Sequence, residues 1–170
     1  MKIGAAILQD DKEKLLQQID MAKKADFIQI DVMDGDFIPG KKTVWLSSIK
    51  EAIKKAKKPV ELHLMISNPD TLIDDFLALK ADTYIFHYEA TKNHEAIIEK
   101  VRKQKKKVGI AIKLQTSATV LRNLLDKIDL VLVYCTEKIG EQGPKFSILS
   151  TRNISIVREY NNKISIEVDG

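Results

Sequence analysis

Gln29-Ile-Asp31-Val-Met33-Asp34-Gly35 sets polar side chains at every second position of an otherwise apolar run. Residues two apart in a strand share a face, so Gln29, Asp31 and Met33 point one way and Ile28, Ile30 and Val32 the other. The pattern returns in Glu61-Leu-His63-Leu-Met65-Ile-Ser67-Asn68-Pro69 and again in the last residues, Glu167-Val-Asp169-Gly170. A strand buried on both faces would not carry so many polar groups on one of them. Strands that close into a ring around an active site would.

Outward from these stretches the chain repeats a strand followed by a helix. Strand-like runs begin near Lys2, Asp26, Pro59, Asp82, Lys107, Ile128 and Lys163. Between them, apolar residues recur at helical spacing, as in Leu15, Leu16, Ile19 and Ala22, in Leu46, Ile49, Ala52 and Ile53, and in Leu72, Ile73, Phe76 and Leu77. Asp10 or Asp11, Thr43, and Asn68 before Pro69 are the predicted helix starts. An internal echo joins Lys24-Ala-Asp26, Lys80-Ala-Asp82 and Lys127-Ile-Asp129, each placed just before an apolar run. Strict alternation predicts a parallel sheet. No Gly-x-Gly-x-x-Gly loop follows the first strand, which argues against a dinucleotide-binding open sheet. Polar residues at the carboxyl ends of several strands predict a (β/α)8 TIM barrel of α/β class. Seven strands are visible, so residues 1–170 are expected to form one barrel domain that stops after the seventh strand, without the final helix-strand-helix portion.

The bulk composition fits. The 170 residues are 44% hydrophobic and 31% charged, as in a soluble globular domain. No apolar run approaches the roughly 18 residues of a membrane span, and the short run Ile3 to Leu8 meets Asp10 and Asp11 too soon for a signal peptide. The single Cys135 suits a reducing compartment, so a cytoplasmic protein with no membrane partner is expected. The formal net charge is +4, and all the basic residues but Arg102, Arg122, Arg152 and Arg158 are lysine. Lys54 to Lys58 and Arg102 to Lys107 cluster at predicted helix ends, where cations suit the dipole. No aromatic residues are interleaved to stack on bases, so no nucleic-acid partner is expected.

Taken with its neighbours, the chain resembles the ribulose-phosphate 3-epimerase family. The family's strand-two signature, His-x-Asp-x-Met-Asp-Gly-His-Phe-x-Pro, reads here as Gln29-Ile-Asp31-Val-Met33-Asp34-Gly35-Asp36-Phe37-Ile-Pro39. His63-Leu-Met65 with Asn68-Pro69 matches the third strand, Phe86-His87-Tyr-Glu89-Ala-Thr91 the fourth, and Glu167-Val-Asp169-Gly170 the seventh. The resemblance implies a ribulose-phosphate-binding barrel that epimerises D-ribulose 5-phosphate and D-xylulose 5-phosphate at C3. Inversion needs two acid-base groups on opposite faces of an enediolate. Asp31 and Asp169 are the implied pair. One divalent metal ion per subunit (zinc, manganese or iron) is implied, held by Asp31, His63 and Asp169, with Gln29 at the fourth ligand position. Met33 and Met65 would wall the intermediate, with His63 also touching substrate. Ala6, Gly140 and Gly143 fall at other substrate-binding positions. A phosphorylated ketose and a second copy of the chain are the implied partners.

Four departures bear on activity. Gln29 stands where the family carries a ligating histidine, and a neutral amide oxygen is a weak ligand beside imidazole. Ala6 lacks the family's serine hydroxyl. The loop Lys138-Ile-Gly140-Glu141-Gln-Gly143-Pro keeps part of a phosphate-cradling glycine sequence and adds a negative charge, and Lys113-Leu114-Gln115 replaces Asn-Pro-Gly. The fourth is the seventh-strand ending, which omits the loops where such barrels bind phosphate. A diverged or inactive relative, or an epimerase of a hexulose 6-phosphate, is therefore a second reading. A decarboxylase of the orotidine-phosphate type would need lysine at Met33.

Overall fold

The computed structural model describes residues 1–141 and 143–169; Gly170, the last residue of the third polar stretch, lies outside them. Among the described residues there are seven strands and five α-helices. The strands are β1 (Gly4–Ile7), β2 (Phe27–Met33), β3 (Val60–Met65), β4 (Thr83–His87), β5 (Lys107–Ile112), β6 (Leu130–Tyr134) and β7 (Ser165–Asp169). Each pairs in parallel with the next, in the order β1 to β7. The α-helices between them are α1 (Lys12–Met21), α2 (Leu46–Lys55), α3 (Pro69–Leu77), α4 (His94–Lys103) and α5 (Ser150–Tyr160).

The sheet is strongly curled. In a flat sheet, β3 and β7 would lie about 19 Å apart, four strand spacings of ~4.8 Å. Instead, His63 Nδ1 of β3 lies 3.7 Å from Asp169 Oδ2 of β7. Curling produces two cores, as in a (β/α) barrel. The larger one packs Ile28, Ile30, Val32, Leu62 and Leu64 against the helices. The smaller one fills the inside of the curl with Met33, Met65, Ile85, Ala111, Leu132 and Tyr134. Among the described residues, β1 and β7 are the two edges of this sheet.

The sequence echo has a structural cause. Asp26 Oδ2 accepts from the backbone N–H of Ile3, Asp82 Oδ2 from Val60 and Asp129 Oδ2 from Val108, each at 2.8 Å. Each aspartate precedes an even-numbered strand and ties it to the start of the strand before. Three copies of one latch thus set the register at the amino-terminal ends of β1–β2, β3–β4 and β5–β6.

Helix starts follow local chemistry. Asp11 caps α1, its Oδ1 accepting from Lys14 N at 2.8 Å. Pro69 opens α3 at the first helical position. Thr43, predicted to start the second helix, does not. Its hydroxyl accepts from Met33 N at 2.9 Å and its N–H donates to Met33 O at 3.2 Å, so it extends the end of β2, and α2 begins at Leu46. Nor does an α-helix join β5 to β6. Two 3-10 turns, Ala118–Leu121 and Leu125–Lys127, fill the interval. Asn153 of α5 takes up their free backbone groups, accepting from Ala118 N and donating to Thr116 O, each at 2.9 Å. The lysine clusters begin in the last turns of α2 and α4, at Lys54 and Lys55 and at Arg102 and Lys103, and run on past the helix ends. Among the described residues no helix is long and apolar enough to cross a membrane.

Candidate functional site

Register places the polar stretches side by side. Asp31 of β2 pairs with His63 of β3, Met33 pairs with Met65, and Tyr134 of β6 pairs with Asp169 of β7. With the sheet curled, one ligand atom each of Asp31, His63 and Asp169 come within 4.8 Å of one another. Asp31 Oδ1 lies 3.0 Å from His63 Nδ1. Asp31 is nearly buried and His63 fully so. Asp169 Oδ2 is buried with no hydrogen-bond partner among the described residues, an orphaned acceptor facing the other two groups.

The electrostatics match two carboxylates beside one imidazole. Burial raises the Asp169 carboxyl above its usual range, the His63 charge opposes that shift, and the nearby Asp31 charge adds to it. Burial acts to lower His63, but its hydrogen bond to Asp31 and the charges of Asp31 and Asp169 outweigh that and raise it. A buried acceptor lacking a partner, a second carboxylate and an imidazole nitrogen form an oxygen-and-nitrogen donor set that fits a divalent cation with an open coordination position.

Gln29 reaches the same cluster in another role. Its Nε2 donates to Asp31 Oδ1 at 3.1 Å, so the side chain presents a nitrogen to the carboxylate. Ala6 pairs with Gln29 in register and lines, with Glu61, Glu167 and Asp169, a cavity of about 890 Å³ whose walls also include Asp26, Asp82 and Asp129 at the amino-terminal ends of the strands. Met33 and Met65 form an apolar wall beside the cluster, and Tyr134 Oη donates to Met65 Sδ at 3.5 Å. Gly140 is pressed against that wall. Its φ of +71° favours glycine, and a Cβ there would lie 2.7 Å from Met33 Sδ. Gly143 is not brought to the cluster and lines a separate surface pocket of about 540 Å³ with Phe146 and Ser147.

Several participants escaped the sequence reading. Tyr134 lies beside Asp169 and both interior histidines, with ring centroids 5.8 Å from His63 and His87. Its place as third residue of the inward set Leu130, Leu132 and Tyr134 was the available signal. Asp34 holds the mouth together. Its Oδ2 accepts from Ser67 N and Oγ, each at 2.7 Å, tying the loop after β2 to the loop after β3. Lys41 Nζ donates to Ile139 O, Gly140 O and Glu141 Oε1, clasping the loop after β6. Glu141 is thus paired with a lysine. Lys113 Nζ sits 4.2 Å above the Phe37 ring at the rim. Below the cluster, burial raises both Glu61 and Glu167, and for Glu167 the neighbouring Glu61 adds to the shift. His94 is half-buried and stacks on Tyr88 at 4.3 Å.

The ribulose-phosphate 3 epimerase family profile matches residues 2–170. The chain belongs to this family. It is 30% identical over 173 residues to the ribulose-phosphate 3-epimerase of Schizosaccharomyces pombe, covering 99% of this chain and 75% of that protein. To the Bacillus subtilis ribulose-phosphate 3-epimerase it is 34% identical over 178 residues, covering 100% of this chain and 81% of that one. Among solved structures, a mutant tryptophan synthase α-subunit from Pyrococcus furiosus superposes with a TM-score of 0.71 at 13% identity, over 99% of this chain and 78% of that one. That likeness supports the barrel fold alone.

Proposed function

We propose that this family member interconverts D-ribulose 5-phosphate and D-xylulose 5-phosphate by moving a proton at C3. The observation that carries the reading is the convergence of Asp31, His63 and Asp169, from three different strands, within 4.8 Å. Two carboxylates at one carbon provide the pair that inversion requires: one takes the proton and the other returns one from the opposite side. The raised Asp169 carboxyl suits the group that delivers the proton, and Asp31, whose Oδ1 accepts from Gln29 Nε2 and lies 3.0 Å from His63 Nδ1, suits the group that removes it. Asp31, His63 and Asp169 would hold a divalent cation, which when bound supplies positive charge for the developing enediolate. Met33 and Met65 exclude water beside the reacting carbon. Gly140, held against Met33, brings the loop after β6 to the same wall.

Coupled assay of xylulose 5-phosphate formation, with zinc or manganese supplied, tests this. Turnover that disappears in Asp31→Asn supports it, and absence of product from folded, metal-loaded protein contradicts it. A second reading, a binding relative without turnover, is favoured by one observation: the Gln29 amide directs its nitrogen at Asp31. Metal binding without turnover is its signature.

A further inference from the structure

His63 and His87 meet nitrogen to nitrogen. Their Nε2 atoms are 3.0 Å apart, and the rings lie 5.1 Å apart at 26°. Two ring nitrogens at that distance share one proton, so one donates and the other accepts. The direction is set from the far side. His87 Nδ1 faces Glu89 Oε2 at 3.4 Å, and an ionised carboxylate only accepts. Glu89 is itself fixed, its Oε1 accepting from Lys113 N at 2.8 Å and from the Thr116 hydroxyl. A neutral His87 therefore carries its proton on Nδ1 and offers a bare Nε2, and His63 Nε2–H must be the donor. The other nitrogen of His63, Nδ1, faces Asp31 and Asp169 at 3.0 and 3.7 Å.

We propose that His87 and Glu89 are positioning residues that hold His63 in its Nε2–H form and so turn the Nδ1 lone pair toward the cation site shared with Asp31 and Asp169. The proposal rests on the epimerase reading for the presence of that cation. Two further features agree. Glu89 stays ionised, its carboxyl held near 2 because the contacts of His87, Thr116 and Lys113 N overcome burial. Phe37 and Tyr134 pack on the buried His87 ring with centroids 4.8 and 5.8 Å away. The partner of a metal-bound histidine commonly governs affinity through tautomer and ring orientation.

Zinc affinity, measured by competition with a chromophoric chelator on variants whose circular dichroism matches the parent, provides the first test. His87→Leu should lose about 10- to 100-fold in affinity. His87→Gln, whose side-chain oxygen accepts from His63 Nε2–H, should recover most of it. Long-range ¹H–¹⁵N NMR of the unmodified chain provides the second: His87 should be protonated at Nδ1 alone and His63 at Nε2, with or without zinc. Equal zinc affinity in folded His87→Leu, or a His87 protonated on Nε2, would overturn the proposal. If the unmodified chain binds no zinc, the epimerase reading fails while the ring-nitrogen signals still decide the relay.

Discussion

Gln29 Nε2 donates to Asp31 Oδ1 across 3.1 Å, at the position where the strand-two signature that this chain resembles has histidine. An amide nitrogen has no lone pair to offer a cation, so the pairing orients Asp31 without adding a ligand. Gln29→His would exchange a donor for a nitrogen ligand of the same reach. Zinc affinity in the variant is expected to rise at least tenfold, about 1.4 kcal/mol, in a chelator competition. Unchanged affinity would show that Gln29 faces away from the cation.

Asp31→Asn and Asp169→Asn each keep shape while removing a proton carrier. Each should lower kcat by about 10² to 10⁴, with circular dichroism unchanged. Full activity in either would remove the two-carboxylate assignment.

Cation binding must displace the proton of His63, which Asp31 holds on more tightly than usual despite burial. Zinc affinity should therefore climb as pH rises, by about tenfold per unit, and level off once His63 is neutral in the free protein. Calorimetry in buffers of different ionisation enthalpy should count a proton released below that plateau. A flat profile between pH 5.5 and 8 would contradict the role of Nδ1.

Glu167 is raised by burial and by Glu61 beside it. A carboxyl whose folded value exceeds its unfolded value of about 4.3 contributes its full stability below that pH and loses it as pH rises through the folded value. Glu167→Gln should thus raise Tm over the parent at alkaline pH, with the gap shrinking toward pH 4. A gap that widened in acid would mean that Glu167 is stabilised as a charge.

Gly140→Ala would place a methyl 2.7 Å from Met33 Sδ at a φ of +71°. The backbone cost is about 1 kcal/mol, and Met33 must swing from the wall. A drop in Tm with a raised KM is the expected result in differential scanning and steady-state assays. An unchanged KM would separate Met33 from the substrate.

Strand polarity was legible because period two leaves no choice of face: once Asp31 and Met33 are inward, His63 and Met65 follow by register. The echoed Lys-x-Asp sequence was visible too, but its meaning required the backbone N–H groups of Ile3, Val60 and Val108. Thr43 misled because a hydroxyl before an apolar helix reads as a cap, whereas here it completes the end of β2. The His63–His87 contact was out of reach, since the two residues are 24 positions apart and their approach depends on the interior width of the curl. Gln29 could be identified as a departure, but the atom it turns to Asp31 is a matter of three-dimensional hydrogen bonding.

Proton NMR of D-ribulose 5-phosphate in D₂O with the zinc-loaded chain tests the central claim most directly. The expected result is loss of the C3 proton signal together with D-xylulose 5-phosphate carrying deuterium at C3. Retention of that signal with zinc bound and the chain folded would contradict proton transfer at this site, and exchange without the epimer would contradict the pairing of Asp31 with Asp169.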